Sequence, residues 1–274
     1  MKVRSRSSRR AYVFPMPPSS HAYMLDKEYN LTGMKLTRSG DRHQIRMERR
    51  FAHPRGRVWR ALTSPDELTH WFPADVTFGD ERALTFTFRD AEAPPSGGEV
   101  RACEPEHLFE FSWQGEILRW ELAPDGPGCL LTFTHTFDDG PGAASFATGW
   151  TSCLDTLDAT LSGTTAPAGW SAQLHDRLLD DFGLRDGVTE ALPGGGWRVR
   201  FVRQLTQPVD VVRTILDGRP PAAGDWQLTP GPGGARATVT VTGSGTSIDE
   251  AYADARRALD ALAATVTSYS RGPA

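Results

Sequence analysis

Apolar and polar side chains alternate in four segments of the first half of the chain. These segments are residues 84–88, 109–113, 118–122 and 131–137. A period of two that is sustained over several segments predicts an antiparallel sheet with one apolar face and one polar face. A further strand is predicted over residues 44–52, and stretches rich in Pro and Gly predict turns at residues 94–98 and 124–128.

Two short helices are predicted between the first strand and the later ones. Apolar residues at helical spacing follow Pro54, a residue type that is well tolerated in the first turn of a helix. Ser64 and Glu67 then have the spacing of a capping box, in which each side chain bonds a backbone N–H group of the other residue. This pattern predicts a second short helix that carries Trp71 and Phe72.

A long amphipathic helix is predicted over residues 147–161, with Gly163 as its end. Its apolar face carries Trp150, Leu154, Leu157 and Leu161. Such a helix buries its apolar stripe by packing against the apolar face of the sheet. The first half of the chain is therefore predicted to be an α+β domain, in which a curved antiparallel sheet surrounds one long C-terminal helix.

The second half of the chain repeats part of this pattern. The segment Trp120-Glu121-Leu122-Ala123-Pro124 recurs as Trp226-Gln227-Leu228-Thr229-Pro230, and residues 51–54 are echoed by residues 205–208. A strand, a helix, two strands and a long helix are predicted, at residues 197–205, 208–217, 225–229, 235–242 and 248–267. The segment between the first helix and the Trp-containing strand is missing, so the second copy is predicted to be a smaller, truncated α+β module.

The repeat also gives a predicted domain organisation. Residues 41–163 are the complete domain, residues 164–196 a helical linker, and residues 197–267 the truncated module. Three glycines at residues 194–196 are interpreted as a flexible hinge. Residues 1–40 are interpreted as a disordered tail or an over-extended gene start, and residues 268–274 as a C-terminal tail.

Composition argues against several classes of protein. The net charge of −4 over 274 residues lacks the basic footprint of a nucleic-acid-binding protein. The three cysteines and seven histidines show neither Cys-x-x-Cys nor His-x-x-x-His spacing, so we predict no metal site. We predict a cytoplasmic protein in which the cysteines are reduced thiols. No apolar run approaches the ~20 residues of a membrane span. The sequence contains no dinucleotide-binding, phosphate-binding or nucleophile-elbow pattern, so no cofactor is predicted.

Five segments in the first half resemble a known family. They are Val58-Trp59-Arg60-Ala61-Leu62-Thr63, Ser64-Pro65-Asp66-Glu67-Leu68, Trp71-Phe72, Leu130 to His135, and Gly149-Trp150. In their order and spacing they resemble the activator of heat-shock-protein-90 ATPase homologue family of the START-like (SRPBCC) superfamily, which has the helix-grip fold. The resemblance covers roughly residues 44–163, and the second module resembles the same fold with its middle removed.

The resemblance implies a cavity between the sheet and the long helix that holds an apolar small molecule. The candidate ligand-binding residues are Trp71, Phe72, Phe86, Phe88, Phe111, Trp113, Phe133 and His135. We expect a volume of roughly 300–1,000 Å³, which is usual for ligand sites. Two plainer interpretations stay open: the aromatic residues form an ordinary core, and His135 is a buried histidine whose hydrogen bonds are satisfied by the backbone.

The sequence thus predicts a START-like protein that binds an apolar or aromatic small molecule without covalent catalysis. The first alternative is an enzyme similar to polyketide cyclases and aromatases, which share this fold and use a few polar groups in the cavity for acid–base chemistry. The second alternative is a chaperone cofactor or another interaction module, with self-association through the second module. Because one fold hosts unrelated functions, the resemblance alone does not choose among them.

Overall fold

The computed structural model describes residues 33–89, 94–167, 169–218 and 224–269. The described chain forms two compact units that divide between Leu178 and Leu179. Each unit contains one antiparallel sheet and the helices that follow its strands.

The first unit contains an eight-stranded sheet in the order β1-β2-β8-β7-β6-β5-β4-β3. Its strands are β1 Met34–Ser39, β2 Arg42–Phe51, β3 Asp75–Phe78, β4 Ala83–Thr87, β5 Ser96–Glu104, β6 Leu108–Trp113, β7 Glu116–Asp125 and β8 Gly128–Phe137. Every neighbouring pair is antiparallel. The alternation in the sequence matches the burial of the strands, because the apolar positions of β6, β7 and β8 are buried and the positions between them are partly exposed.

Four helices belong to this part of the chain: α1 Arg55–Thr63, α2 Pro65–Leu68, α3 Ala143–Ser162 and α4 Ala172–Asp181, which spans the division between the units. Helix α3 is the predicted long helix, and Trp150, Leu154 and Leu157 on its stripe are at most 1 % exposed. Gly163 ends the helix in the left-handed conformation, with φ of 65°, which glycine adopts without strain. The predicted α+β fold, with a large antiparallel sheet and a C-terminal helix, is confirmed.

The predicted capping box at Ser64 and Glu67 is wrong. The Ser64 side chain makes no capping hydrogen bond to α2. The carboxylate of Glu67 instead accepts hydrogen bonds from Arg57 and from Nε of Arg60, the latter at 2.7 Å. Both arginines lie on α1, and a bond between two charged groups is stronger than one to a neutral backbone N–H group.

Strand β5 was not predicted, and the turn expected at residues 94–98 lies partly within it. The strand begins Ser96-Gly97-Gly98-Glu99, a sequence without apolar alternation, and its pairing with β6 contains a bulge between Val100 and Ala102. Gly98 is needed because a Cβ atom there would lie 2.0 Å from the Ser112 carbonyl oxygen. Close backbone approach therefore explains a glycine that the sequence alone suggested was part of a turn.

The second unit contains a four-stranded sheet in the order β11-β12-β10-β9. Its elements are β9 Val188–Leu192, β10 Gly196–Gln204, α5 Val209–Gly218, β11 Asp225–Gly231, β12 Gly234–Ser244 and α6 Ile248–Tyr269. The core includes Phe201 and Val239 from the sheet and Leu259 from α6. The hinge expected at residues 194–196 is wrong, because β9 and β10 pair antiparallel and Pro193–Gly195 is the turn of their hairpin.

The two sheets share their strand order and register over four strands. The order β1-β2-β8-β7 in the first unit corresponds to β9-β10-β12-β11 in the second. Three directly paired residues across β2, β8 and β7 are Met47, Phe133 and Trp120. The residues paired in the same way across β10, β12 and β11 are Phe201, Val239 and Trp226. The internal duplication stays a prediction, and this shared register supports it.

The described residues differ from the predicted domain boundaries at two places. Strand β1 lies within the predicted tail of residues 1–40, and it pairs with β2, so the first sheet begins before residue 41. Strand β9 lies within the predicted linker of residues 164–196 and belongs to the second sheet. Residues 1–32, and residues 270–274 of the C-terminal tail, lie outside the described residues.

Among the helices that the structure describes, none combines the length and apolarity needed to cross a membrane.

Candidate functional site

The structure brings the predicted site residues together on the inner face of the first sheet. Phe72 lies at the centre of this cluster, with its ring centroid 6.2 Å from Phe86, 6.3 Å from Phe111, 5.6 Å from Trp113 and 5.9 Å from Trp150. The Trp113 ring stacks on those of Phe86 and Phe88. We call this set the aromatic cluster: Trp71, Phe72, Phe86, Phe88, Phe111, Trp113, Trp120, Phe133 and Trp150.

Trp71 and Phe72 enter the cluster from the segment between α2 and β3, and not from a strand or a long helix. The Trp71 indole Nε1 donates to the carbonyl oxygen of Ala61 at 2.9 Å, and its ring lies edge-on to Trp120 at 5.6 Å. Both side chains are at most 5 % exposed. Two of the largest rings in the core are therefore carried by a connecting segment.

Arg89 holds this segment in place. Its guanidinium group donates to the carbonyl oxygens of Thr69 and Phe72, both at 2.6 Å, and its Nε lies 3.1 Å from the Asp75 carboxylate. One side chain thus bonds the start, the middle and the end of residues 69–75. We call these residues the Phe72 segment.

Replacing Arg89 with methionine is expected to loosen the Phe72 segment without unfolding the sheet. Methionine keeps an unbranched apolar stem but supplies no donor for the two carbonyl oxygens. Hydrogen–deuterium exchange should rise at residues 69–75 and stay unchanged in β6, β7 and β8. Arg82→Met is the control, because Arg82 bonds the carbonyl oxygen of Arg101 and not this segment. Equal exchange in both variants would contradict the role assigned to Arg89.

A small cavity lies beside Phe72, against the inner face of the sheet. The cavity at this face has a volume of about 10 Å³, which is room for about one water molecule. It is lined by Leu62, Leu68, Trp71, Phe72, Val76, Phe78, Leu84, Phe109, Phe111 and Trp120. This cavity is much smaller than the expected roughly 300–1,000 Å³. None of its lining residues lies on α3, so a ligand cavity between sheet and α3 stays a prediction.

His135 lies at the other end of the aromatic cluster, and both of its ring nitrogens are engaged. Its Nε2 lies 2.8 Å from Oε2 of Glu116, and the Trp150 indole N–H donates to its Nδ1 at 3.2 Å. An indole N–H only donates, so Nδ1 is the acceptor, and a neutral ring carries its proton on Nε2 and donates it to Glu116. His135 is therefore a buried histidine that is satisfied by side chains, whereas the plainer interpretation expected the backbone.

Glu116 is the charged residue of this site that the sequence analysis missed. It has the same parity along β7 as Leu118, Trp120 and Leu122, which all point to the inner face. It is the direct cross-strand partner of Trp113. The sequence did contain a signal for Glu116. Strand alternation alone places this carboxylate on the otherwise apolar face, where a charged side chain is unusual.

A tight hairpin turn fixes the pair of Trp113 and Glu116. Gln114 and Gly115 between them have φ of 51° and 89°, the pattern of a two-residue hairpin turn with positive φ at both positions. Arg42 bonds the carbonyl oxygen of Gly115 at 2.9 Å. On the β6 side, the Trp113 indole N–H donates to the Ser96 hydroxyl at 2.9 Å. The polar end of the cluster is thus held by hydrogen bonds from three strands.

Other chemistry near α3 is restricted by burial. Burial raises the pKa of the Cys153 thiol to about 12, so this side chain is a thiol and not a thiolate at neutral pH. Over the ranges that the structure describes, no group of three or more His, Cys, Asp or Glu side chains is arranged to hold a metal ion. The Ser96 hydroxyl and the His135 ring accept hydrogen bonds from indole N–H groups of the aromatic cluster, and His135 is bonded in turn to Glu116.

Comparisons with known proteins place this architecture in a family. Residues 52–162 match the model of the family described as activator of Hsp90 ATPase homolog 1-like protein. This part of the first unit is therefore similar to that family, and we call residues 52–162 the family domain. The match runs from the end of β2 to the end of α3, so the aromatic cluster, His135 and Glu116 all lie within the family domain.

Two solved structures are similar to the family domain. EF2215, a conserved protein of unknown function from Enterococcus faecalis, is 18% identical with a TM-score of 0.50, covering 56% of this chain and 92% of its own. CalU16 from Micromonospora echinospora is 23% identical with a TM-score of 0.42, covering 55% of this chain and 90% of its own. The comparison with curated proteins finds no match. The START-like, helix-grip assignment of the first unit is confirmed.

Proposed function

We propose that the family domain binds an apolar or aromatic small molecule between its sheet and α3, without covalent catalysis. The observation that supports this is the continuous aromatic cluster, which runs from the small cavity beside Phe72 to the polar pair of His135 and Glu116. Binding sites commonly combine such apolar walls with a few polar groups that fix orientation. The ligand takes the position that Phe72 fills in the closed conformation.

The position of Phe72 on a connecting segment supports this opening. The rings of Phe86, Phe111 and Trp113 are fixed by strand pairing, and that of Trp150 by helix α3. The Phe72 ring leaves the cluster if the Phe72 segment moves. The backbone of this segment is held in part by hydrogen bonds from Arg89, whose side chain is partly exposed. Segments without strand or helix pairing are the low-stability parts of a fold, from which ligand-gating elements are drawn.

An acid–base enzyme of the cyclase type is the second candidate, and the pair of His135 and Glu116 is the observation that favours it. A histidine oriented by a carboxylate is a common arrangement for proton transfer. In the closed conformation, however, the Trp150 N–H occupies Nδ1 and Glu116 occupies Nε2. Catalysis therefore requires one of these bonds to open when the substrate binds. Conversion of a bound ligand, followed by mass spectrometry and lost in His135→Ala, would favour the enzyme.

A chaperone-cofactor function rests on the description of the family alone. The residues that carry the family match include an aromatic inner face whose members are buried, and buried residues do not form a protein-docking surface. Co-precipitation of the purified chain with the host chaperone tests this role separately from ligand binding. We place it behind the two small-molecule functions.

Titration with polyaromatic compounds, isoprenoids and fatty acids should identify a ligand class. Binding is expected to quench tryptophan fluorescence and to raise the melting temperature, because a ligand that binds only the folded state stabilises it. Trp113→Ala and His135→Ala should weaken binding. Trp226→Ala is the matched control, since Trp226 lies in β11 of the second unit. No change in fluorescence or melting temperature with any compound would mean that the rings form a closed core, and would overturn the proposal.

A further inference from the structure

We infer that the ligand of this site carries a hydrogen-bond donor, such as a phenol, an alcohol or an ammonium group, and that Glu116 recognises it. The inference rests on the proposed function and names the class of ligand. A carboxylate only accepts hydrogen bonds, so its presence at the polar end of the site selects for donors.

The position of Glu116 next to the ligand space follows from the strand register. Trp113 and Glu116 are directly opposite on β6 and β7, which puts their Cβ atoms about 4.5–5.5 Å apart on the same face. The Trp113 ring lies 5.6 Å from that of Phe72. A ligand that replaces the Phe72 ring and stacks on Trp113 therefore has Glu116 as a neighbour at its outer end.

One oxygen of Glu116 is available for a ligand. Oε2 accepts from Nε2 of His135 at 2.8 Å, whereas Oε1 makes no hydrogen bond within the part of the chain that the structure describes. The side chain is 32 % exposed, and the ion pairs of the described residues include no Lys or Arg partner for it. The carboxylate is thus bonded to His135 through one oxygen, and its second oxygen stays able to accept a further hydrogen bond.

The charge of Glu116 also disfavours one of the ligand classes in the proposed panel. A carboxylate ligand placed beside Glu116 meets a like charge in a partly buried site, where screening by water is weak. An ether or a plain hydrocarbon leaves the second oxygen without a donor once water is displaced. The site is therefore expected to prefer a hydroxyl or ammonium compound over a fatty acid with a similar apolar body.

Three probes with the same ring system isolate this effect: 2-naphthol, which donates, 2-methoxynaphthalene, which does not, and 2-naphthoate, which is an anion. Isothermal titration calorimetry with the full chain is expected to show that naphthol binds at least tenfold more tightly than methoxynaphthalene. This difference corresponds to the free energy of one hydrogen bond to a charged group. Naphthoate should bind more weakly than either.

Glu116→Gln removes the charge but keeps an amide oxygen that accepts from His135. In this variant the affinity for naphthoate should rise and the preference for naphthol should fall below about threefold. Glu121→Gln is the matched control, because Glu121 lies on the same strand but faces outward to Arg119. Its affinities should equal those of the wild type, and melting curves should show that both variants are folded.

The outcomes separate the two proposals. Equal binding of naphthol and methoxynaphthalene to the wild type, or a naphthol preference that survives Glu116→Gln, overturns the role of Glu116 and leaves ligand binding standing. Binding of none of the three probes to wild type and variants overturns the proposed function itself.

Discussion

Phe72→Ala is expected to lower the free energy of unfolding by about 3–5 kcal/mol, the usual cost of removing a buried phenylalanine ring. Phe72 is 2 % exposed and packs against five other aromatic rings, so little of the lost packing can be recovered by collapse. The substitution should also leave a benzene-sized apolar cavity. Urea denaturation of the purified variant measures the cost directly.

A small aromatic probe should recover part of this loss. Benzene or indole that binds the new cavity stabilises the folded state in proportion to the logarithm of its concentration over its dissociation constant. Phe78→Ala is the control, because Phe78 lies near the same cavity but is 38 % exposed and should cost about 1 kcal/mol or less. If Phe72→Ala costs no more than this control, Phe72 is not a packed part of the cluster.

Leu157→Ala is expected to cost about 2–5 kcal/mol, because its side chain is fully buried in the middle of α3. The residue joins the long helix to the inner face of the sheet, so the variant tests the helix-grip packing. Chemical denaturation of this variant should be compared with Asp158→Ala, at the next, exposed position of the same helix. A cost below about 0.5 kcal/mol for Leu157→Ala would place the stripe on the surface and contradict the fold.

The elements that could be predicted from the sequence are those in which buried apolar residues recur at the spacing of a strand or a helix. Strands β6, β7 and β8 bury every second residue, and α3 buries Trp150, Leu154, Leu157 and Leu161 at helical spacing. Strand β5 could not be found in this way. Its Gly98 lies at a close backbone approach, and close approach between strands leaves no mark in the alternation of a single strand.

Strand alternation predicted which aromatic side chains share the inner face, but not how much space they leave between them. Strand parity places Phe86, Trp113 and Phe133 on one face, and the structure has them there. Whether rings on one face leave a cavity depends on how Trp71 and Phe72 are aimed, and this is set by long-range contacts such as those of Arg89. Strand alternation alone places Glu116 on the inner face, although a carboxylate is unusual among the apolar residues of that face.

The shared strand order of the two units has a consequence for the solubility of the second one. In the first unit, β7 has β6 as its outer neighbour, whereas its counterpart β11 is the last strand of its sheet in the described chain. An edge strand exposes backbone groups that can pair with another molecule, and proteins guard such edges with prolines and charges. Strand β11 begins with Asp225 and has Pro230 near its end, where a residue without an N–H group cannot extend the ladder. Asp225 and Pro230 therefore disfavour the pairing of β11 with a strand of another molecule.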